Sequence, residues 1–130
     1  AGSTARSPDP PERKENVAEP TKLLVVWSSA DREVALLNVL MYTHNAQKNG
    51  WWDEVRLLLW GPSDRLLVED EELQESIRAM IADGVEVLAC KACSDRLGVT
   101  AELEALGVNV FYVGVALTEM LKAGWTTLTY

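Results

Sequence analysis

The sequence predicts an α/β domain, a three-layer α/β/α sandwich around a mainly parallel five-stranded sheet. Three observations carry that reading. The strand candidates, such as "KLLVVW" and "EVRLLLW", are close to continuous apolar runs, the pattern of strands covered on both faces. They alternate with segments of helical periodicity. The joins are short and marked by glycine, so that each strand is followed by a crossover helix and a parallel neighbour.

Residues 1–21 hold Pro8, Pro10, Pro11 and Pro20 among mixed charges, with almost no apolar side chains. Such a segment buries too little surface to offset its ordering entropy, and a disordered tail is expected. The folded unit is expected over 22–130. "KLLVVWSSA" is the first strand, ending in small polar residues. In "DREVALLNVLMYTHNAQKNG", Val34, Leu37, Leu40, Met41 and His44 recur at helical spacing, Asp31 is the candidate N-cap and Gly50 closes the helix. "EVRLLLWG" is a second strand, stopped by Gly61-Pro62. "EDEELQESIRAMIADG" is a helix with acids in its first turn, where the macrodipole favours them, ended by Gly84. "VEVLAC" is the third strand. A short helix over 92–97 follows, then another turn or two in "TAELEALG" with Thr100 as its cap. "NVFYVG" is the fourth strand, "VALTEMLKAG" a helix and "WTTLTY" the terminal strand.

A chain of 130 residues with 48% hydrophobic and 25% charged residues is globular and buries a core without staples. No apolar run approaches the roughly eighteen residues of a membrane span. The net charge of −8 disfavours nucleic acid and anionic membranes, which leaves proteins or small molecules as partners. Two cysteines make no disulfide framework, so chemistry or packing in a reducing compartment, the cytoplasm, is expected. The chain opens on Ala1 rather than Met. An added leader and a processed exported precursor both fit that start.

Open parallel sheets gather ligands beyond the carboxyl ends of their strands. Here those ends are Trp27-Ser28-Ser29, Trp60-Gly61-Pro62, Cys90-Lys91 and Gly114. Both cysteines, Cys90 and Cys93, lie in a C-x-x-C at the third of them. A C-x-x-C opening a helix has a physical logic, since the free N–H groups of the first turn stabilise a thiolate and Lys91 adds positive charge. Cys90 is then the nucleophile, and Cys93 resolves it or is buried. The plainer alternative is that both are packing residues, because free cysteine is among the most buried residue types. Zinc lacks ligands beyond these thiols and His44, so no metal is expected. A thioredoxin-type motif follows the first strand rather than the third.

With no G-x-G-x-x-G and no Walker loop, no nucleotide cofactor is expected either. His44 reads as a satisfied core histidine. Ser28 and Ser29 lack a nearby base, Asp31 and Glu33 read as cap and first-turn residues, and Glu69 to Glu72 as a solvated helix start. Trp51-Trp52 either pack on the helix end or enter a subunit interface. Trp27 and Trp60 either wall a pocket or cap the core.

"GVEVLACKACSDRLGV", "LEALGVNVFYVG" and "LTEMLKAGWTTLTY" resemble the DsrE/DsrF-like family of sulfur-relay proteins, over about residues 22–130. The specific part is a cysteine ending the third strand with glycine eight residues later in an Arg-containing context, here Cys90, Arg96 and Gly98. The resemblance implies a three-layer α/β/α domain assembled as a homotrimer or homohexamer. It implies that Cys90 accepts sulfane sulfur as a persulfide from a donor protein and relays it to an acceptor thiol, with Cys93 auxiliary. Two other readings stay open. One is a non-catalytic oligomer that binds a ligand or partner in a strand-end pocket of Trp27, Ser28, Ser29, Trp60, Gly61, Lys91 and Gly114. The other is a Cys90–Cys93 dithiol redox switch.

Overall fold

The computed structural model describes residues 21–130. The tail expected over 1–21 lies, apart from Thr21, outside the described residues. Five strands, β1 (Lys22–Trp27), β2 (Glu54–Leu59), β3 (Glu86–Cys90), β4 (Asn109–Phe111) and β5 (Thr126–Thr129), form one sheet in the order β4-β3-β2-β1-β5. Every neighbouring pair is parallel. The chain steps outward from β1 to β4, then returns its last strand to the free side of β1. Right-handed crossovers that reverse direction must cross on the other face.

The helices follow that rule. Helix α1 runs through Arg32–Val34, a π-helical segment Ala35–Leu40, and Met41–Lys48. After it come α2 (Ser63–Val68), α3 (Glu71–Ala82), α4 (Lys91–Leu97), α5 (Thr100–Ala105) and α6 (Gly114–Lys122). One sheet face carries Leu23, Val25, Trp27, Leu57, Leu59, Val87 and Ala89, packed under Val39, Leu67, Leu73, Ile77, Met80 and Leu103 of α1, α2, α3 and α5. The other face carries Leu24, Val26, Leu58, Leu88 and Cys90, covered by Met120 and Leu117 of α6 with Val113 and Trp125. The sandwich thus has three layers of unequal weight. Towards the amino ends of the strands the thin face turns polar: Arg56 lies over the Trp125 ring at 4.5 Å and pairs with Glu86 at 2.8 Å.

The expected cap of the first helix forms, and α3 gains a cap of the same kind. The Asp31 carboxylate accepts from the Val34 N–H at 3.0 Å, and that of Asp70 accepts from Leu73 at 3.1 Å. Thr100 does not cap α5; its hydroxyl instead reaches Ser94 at 2.6 Å and Asp95 at 2.5 Å. Two further expectations are corrected. The buried stripe of α1 is Ala35, Val39, Leu40, Thr43 and Ala46, while Leu37 and Met41 are exposed. The π segment closes its hydrogen bonds over one more residue than an α-turn, so spacing counted at α-helical period picks the neighbouring face. Helix α2 is the second: the sequence pattern marks no element over 63–68, where the chain forms a helix directly after Pro62.

Trp51 and Trp52 close on the end of α1. The Trp51 ring meets Tyr42 at 5.8 Å, and the Trp52 indole N–H donates to the Tyr42 hydroxyl at 3.2 Å. Leu57, fully buried in β2, and Leu37, exposed on α1, give a paired check of this packing. Leu57→Ala should cost about 2–5 kcal/mol in urea unfolding, and Leu37→Ala no more than about 0.5 kcal/mol. A comparable loss at both positions would contradict the assignment of faces.

Candidate functional site

The thiol pair sits where β3 passes directly into α4. Cys90 is at once the last residue of β3, in register with Phe111 of β4, and the N-cap of α4. Its backbone is therefore fixed by the sheet. Strand alternation turns its side chain onto the thin face, beside Leu88, Val113 and Met120. Cys93 lies one helical turn on, half-buried against the same cluster. Both thiols are free. Gly98 ends α4 in the left-handed region at φ 73°, a conformation that glycine adopts without a side-chain clash.

The electrostatics differ from the expectation. Cys90 makes no side-chain capping hydrogen bond to the α4 N–H groups. Lys91 does not direct its charge at Cys90: its ammonium pairs with Asp95 at 2.9 Å and lies 5.8 Å from the centre of the Tyr112 ring. Lys91 and Thr100 together hold the Asp95 carboxyl below the usual carboxylate range. The Cys93 thiol is pushed up to about 11, first by burial and then by its neighbours Cys90 and Asp64.

Asp64 was not singled out by the sequence, which gives residues 63–68 no element of their own. Its residue has 0% exposure, and neither carboxylate oxygen has a hydrogen-bond partner among the described residues. Burial alone pushes its carboxyl up to about 7. The position is fixed by the chain around it: the Ser63 N–H donates to Ser28 O at 3.0 Å, the Ser63 hydroxyl to Trp27 O at 2.5 Å, and the Asp64 N–H to Gly61 O at 3.0 Å.

The other anticipated residues divide. Trp27 is fully buried on the helix-rich face and walls no pocket with Trp60, which is 46% exposed. Trp27 pairs with Leu59, so Trp60, one residue on, belongs to the opposite face. That places Trp60 one strand from Cys90. Ser28 and Ser29 are tied to the chain end, both N–H groups donating to Tyr130 O at 2.7 and 3.3 Å. The Ser28 hydroxyl donates to the same oxygen at 2.9 Å, while that of Ser29 is buried without a partner among the described residues. Gly61 adopts φ +124° as the chain turns over Ser28. Gly114 opens α6 and is exposed. His44 is far from the thiols, its imidazole 2.6 Å from the Asp83 carboxylate, and is part-exposed rather than in the core. Among the described residues no group of three or more His, Cys, Asp or Glu could hold a metal, and no helix is long and apolar enough to cross a membrane.

A parallel α/β sandwich with a C-x-x-C at the carboxyl end of its third strand is the class this geometry defines. The chain belongs to the DsrE/DsrF-like family, whose profile matches residues 40–130. Among solved structures it is similar to a conserved protein of unknown function, BT1422 from Bacteroides thetaiotaomicron, at 33% identity and TM-score 0.82, covering 85% of this chain and 95% of that one. It shares the fold of the ychN protein from E. coli (20% identity, TM-score 0.68, 85% and 99% covered). It also shares that of MTH1491, a protein of unknown function from Methanobacterium thermoautotrophicum (21%, 0.64, 84% and 99%). No curated protein matches the chain significantly.

The raised Asp64 value has a measurable consequence. The folded state holds this proton more tightly than the unfolded chain, so the stability it contributes is complete below about pH 4 and is lost as pH rises through about 7. Asp64→Asn removes that slope. Relative to the parent chain, the variant should gain about 1–3 kcal/mol between pH 4 and pH 8 in parallel urea titrations. A difference that stays constant with pH would show that this carboxyl is not held protonated by burial.

Proposed function

We propose that the protein is a sulfur carrier whose acceptor site is the Cys90–Cys93 pair, with Cys90 the persulfide-forming sulfur. The observation that carries this reading is two free thiols packed in one cluster, one helical turn apart, at the carboxyl edge of the sheet. Membership of the DsrE/DsrF-like family, which is associated with sulfur relay, supports it.

The reaction is an exchange at sulfur and is redox-neutral overall. The Cys90 thiolate attacks the terminal sulfur of a donor persulfide. The new S–S bond forms as the donor's S–S bond breaks, and the donor leaves as a thiolate. An acceptor thiolate then attacks the terminal sulfur of the Cys90 persulfide and releases Cys90 as a thiolate. Cys93, packed in the same cluster one helical turn on, is the auxiliary thiol near the Cys90 sulfur in both steps.

Cys90 has only 9% of its surface exposed, so the partner's sulfur must approach closely. Trp60, Tyr112 and Val115, at 46, 67 and 72% exposure, provide apolar surface at that edge for donor and acceptor proteins to dock. Further exposed apolar side chains on α1 and beyond it, Leu37, Met41 and Trp51, support assembly as a homotrimer or homohexamer. A dithiol switch rests on the same proximity; closing a disulfide would require an external oxidant.

Incubation with a low-molecular-weight persulfide donor should add the mass of one sulfur atom to the intact chain. The adduct should map to the peptide bearing Cys90, persist in Cys93→Ser and be absent in Cys90→Ala. An unmodified Cys90 after such treatment, in a chain that remains folded, refutes the sulfur-carrier reading.

A further inference from the structure

We propose that the outer edge of β5, with the groove between β5 and α1, is a two-fold docking surface for a second copy of this chain. Across it the β5 strands of two copies pair antiparallel and join their sheets. The proposal deepens the assembly reading above by naming the surface and its symmetry, and it does not rest on the sulfur-carrier chemistry.

Strand β5 is the unprotected edge of the sheet. It pairs with β1 on one side and, among the described residues, with no strand on the other. Its outward N–H and C=O groups are therefore open to another strand. The opposite edge, β4, has only three residues and is flanked by α4 and α5, whereas β5 packs chiefly on β1. Proteins ordinarily blunt an edge with lysine, proline or a bulge. Residues 126–129 read Thr-Thr-Leu-Thr, and their register with β1 is unbroken. Beside the strand, Leu37, Met41, Tyr42, Trp51, Leu128 and Tyr130 line a groove of about 430 Å³. Leu37, Met41 and Trp51 are each more than half exposed.

Charge selects the occupant. The chain carries a net −8, so two copies repel over most of their surfaces. This face is the exception: no Asp, Glu, Lys or Arg occurs from Val34 to Gln47 or from Trp125 to Tyr130. Lys22 and Arg56, which lie over the Trp125 ring, belong to the thin face. A basic partner finds no acid in these segments and an acidic partner no base, whereas an identical neutral strand meets no like charge. A two-fold axis through the strand pair keeps the heavy faces of both sheets on one side. The two α1 helices then meet over the join and cover Leu37 and Met41. Cys90 stays clear of it, because β3 lies three strands from β5, about 14 Å across the sheet. A homohexamer built from two trimers contains such two-fold contacts; a homotrimer alone does not.

The test is the mass of the full chain in solution, measured by sedimentation velocity or multi-angle light scattering. The parent should contain an even number of copies. Met41→Glu on α1 and Thr129→Lys on β5, both at exposed positions, set like charges against the second copy. Each should halve the number of copies while leaving the circular dichroism spectrum unchanged. A monomeric parent overturns this proposal together with the assembly reading, and leaves the groove to a different protein. An odd-numbered parent, or an even-numbered one whose mass either variant leaves unchanged, overturns the two-fold surface while assembly itself stands. The persulfide adduct at Cys90 is measured separately in the same variants, so the sulfur-carrier reading stands or falls on its own.

Discussion

The site depends on a junction that has no linker. β3 ends at Cys90 and α4 begins at Lys91, so one residue belongs to the sheet ladder and caps the helix at once. Pairing with β4 fixes the Cys90 backbone, and strand alternation fixes which face its sulfur takes. The helix that starts immediately afterwards returns Cys93 over the same spot within one turn. An intervening loop would let the two thiols drift apart. The proximity of the pair is thus a property of the sheet more than of the C-x-x-C spacing.

The unequal faces explain why the thiols sit near the surface. Helices α1, α2, α3 and α5 cover one side of the sheet, whereas α6 alone covers the other, because only the return crossover from β4 to β5 lies there. A cysteine facing the heavy side would be sealed in the larger core cluster, as Ala89 is. Cys90 faces the light side, at the carboxyl edge, with Trp60 and Tyr112 exposed nearby. The fold therefore supplies a sulfur that is sheltered from water yet close to a surface another protein can cover.

The same edge carries an electrostatic cost. Trp27 Nε1, the Ser29 hydroxyl and both Asp64 oxygens are buried without partners among the described residues, all within a few residues of the ends of β1 and β2. Most buried polar groups in proteins are satisfied, and exceptions concentrate where chemistry needs a perturbed group. Around the thiols the charges do not follow the simple picture of a lysine activating its neighbour. Lys91 neutralises Asp95, and the groups acting on Cys93 are negative.

Much of this architecture was legible in the sequence. Near-continuous apolar runs, helical segments between them and glycine-marked joins specified a parallel α/β sheet with Cys90 at a carboxyl edge, because those signals are local and periodic. The motif around Cys90, Arg96 and Gly98 carried the family. Tertiary structure decided the rest. The π segment moved the buried stripe of α1 off the expected residues, and alternation put Trp27 and Trp60 on opposite faces, which follows from register and not from their shared place at strand ends. Lys91 turned to Asp95. Above all, nothing in the sequence set Asp64 apart from a surface acid. What encloses it is the seating of α2 between the end of β1 and α4, a contact between segments some thirty residues apart along the chain, to which no short stretch of sequence is sensitive.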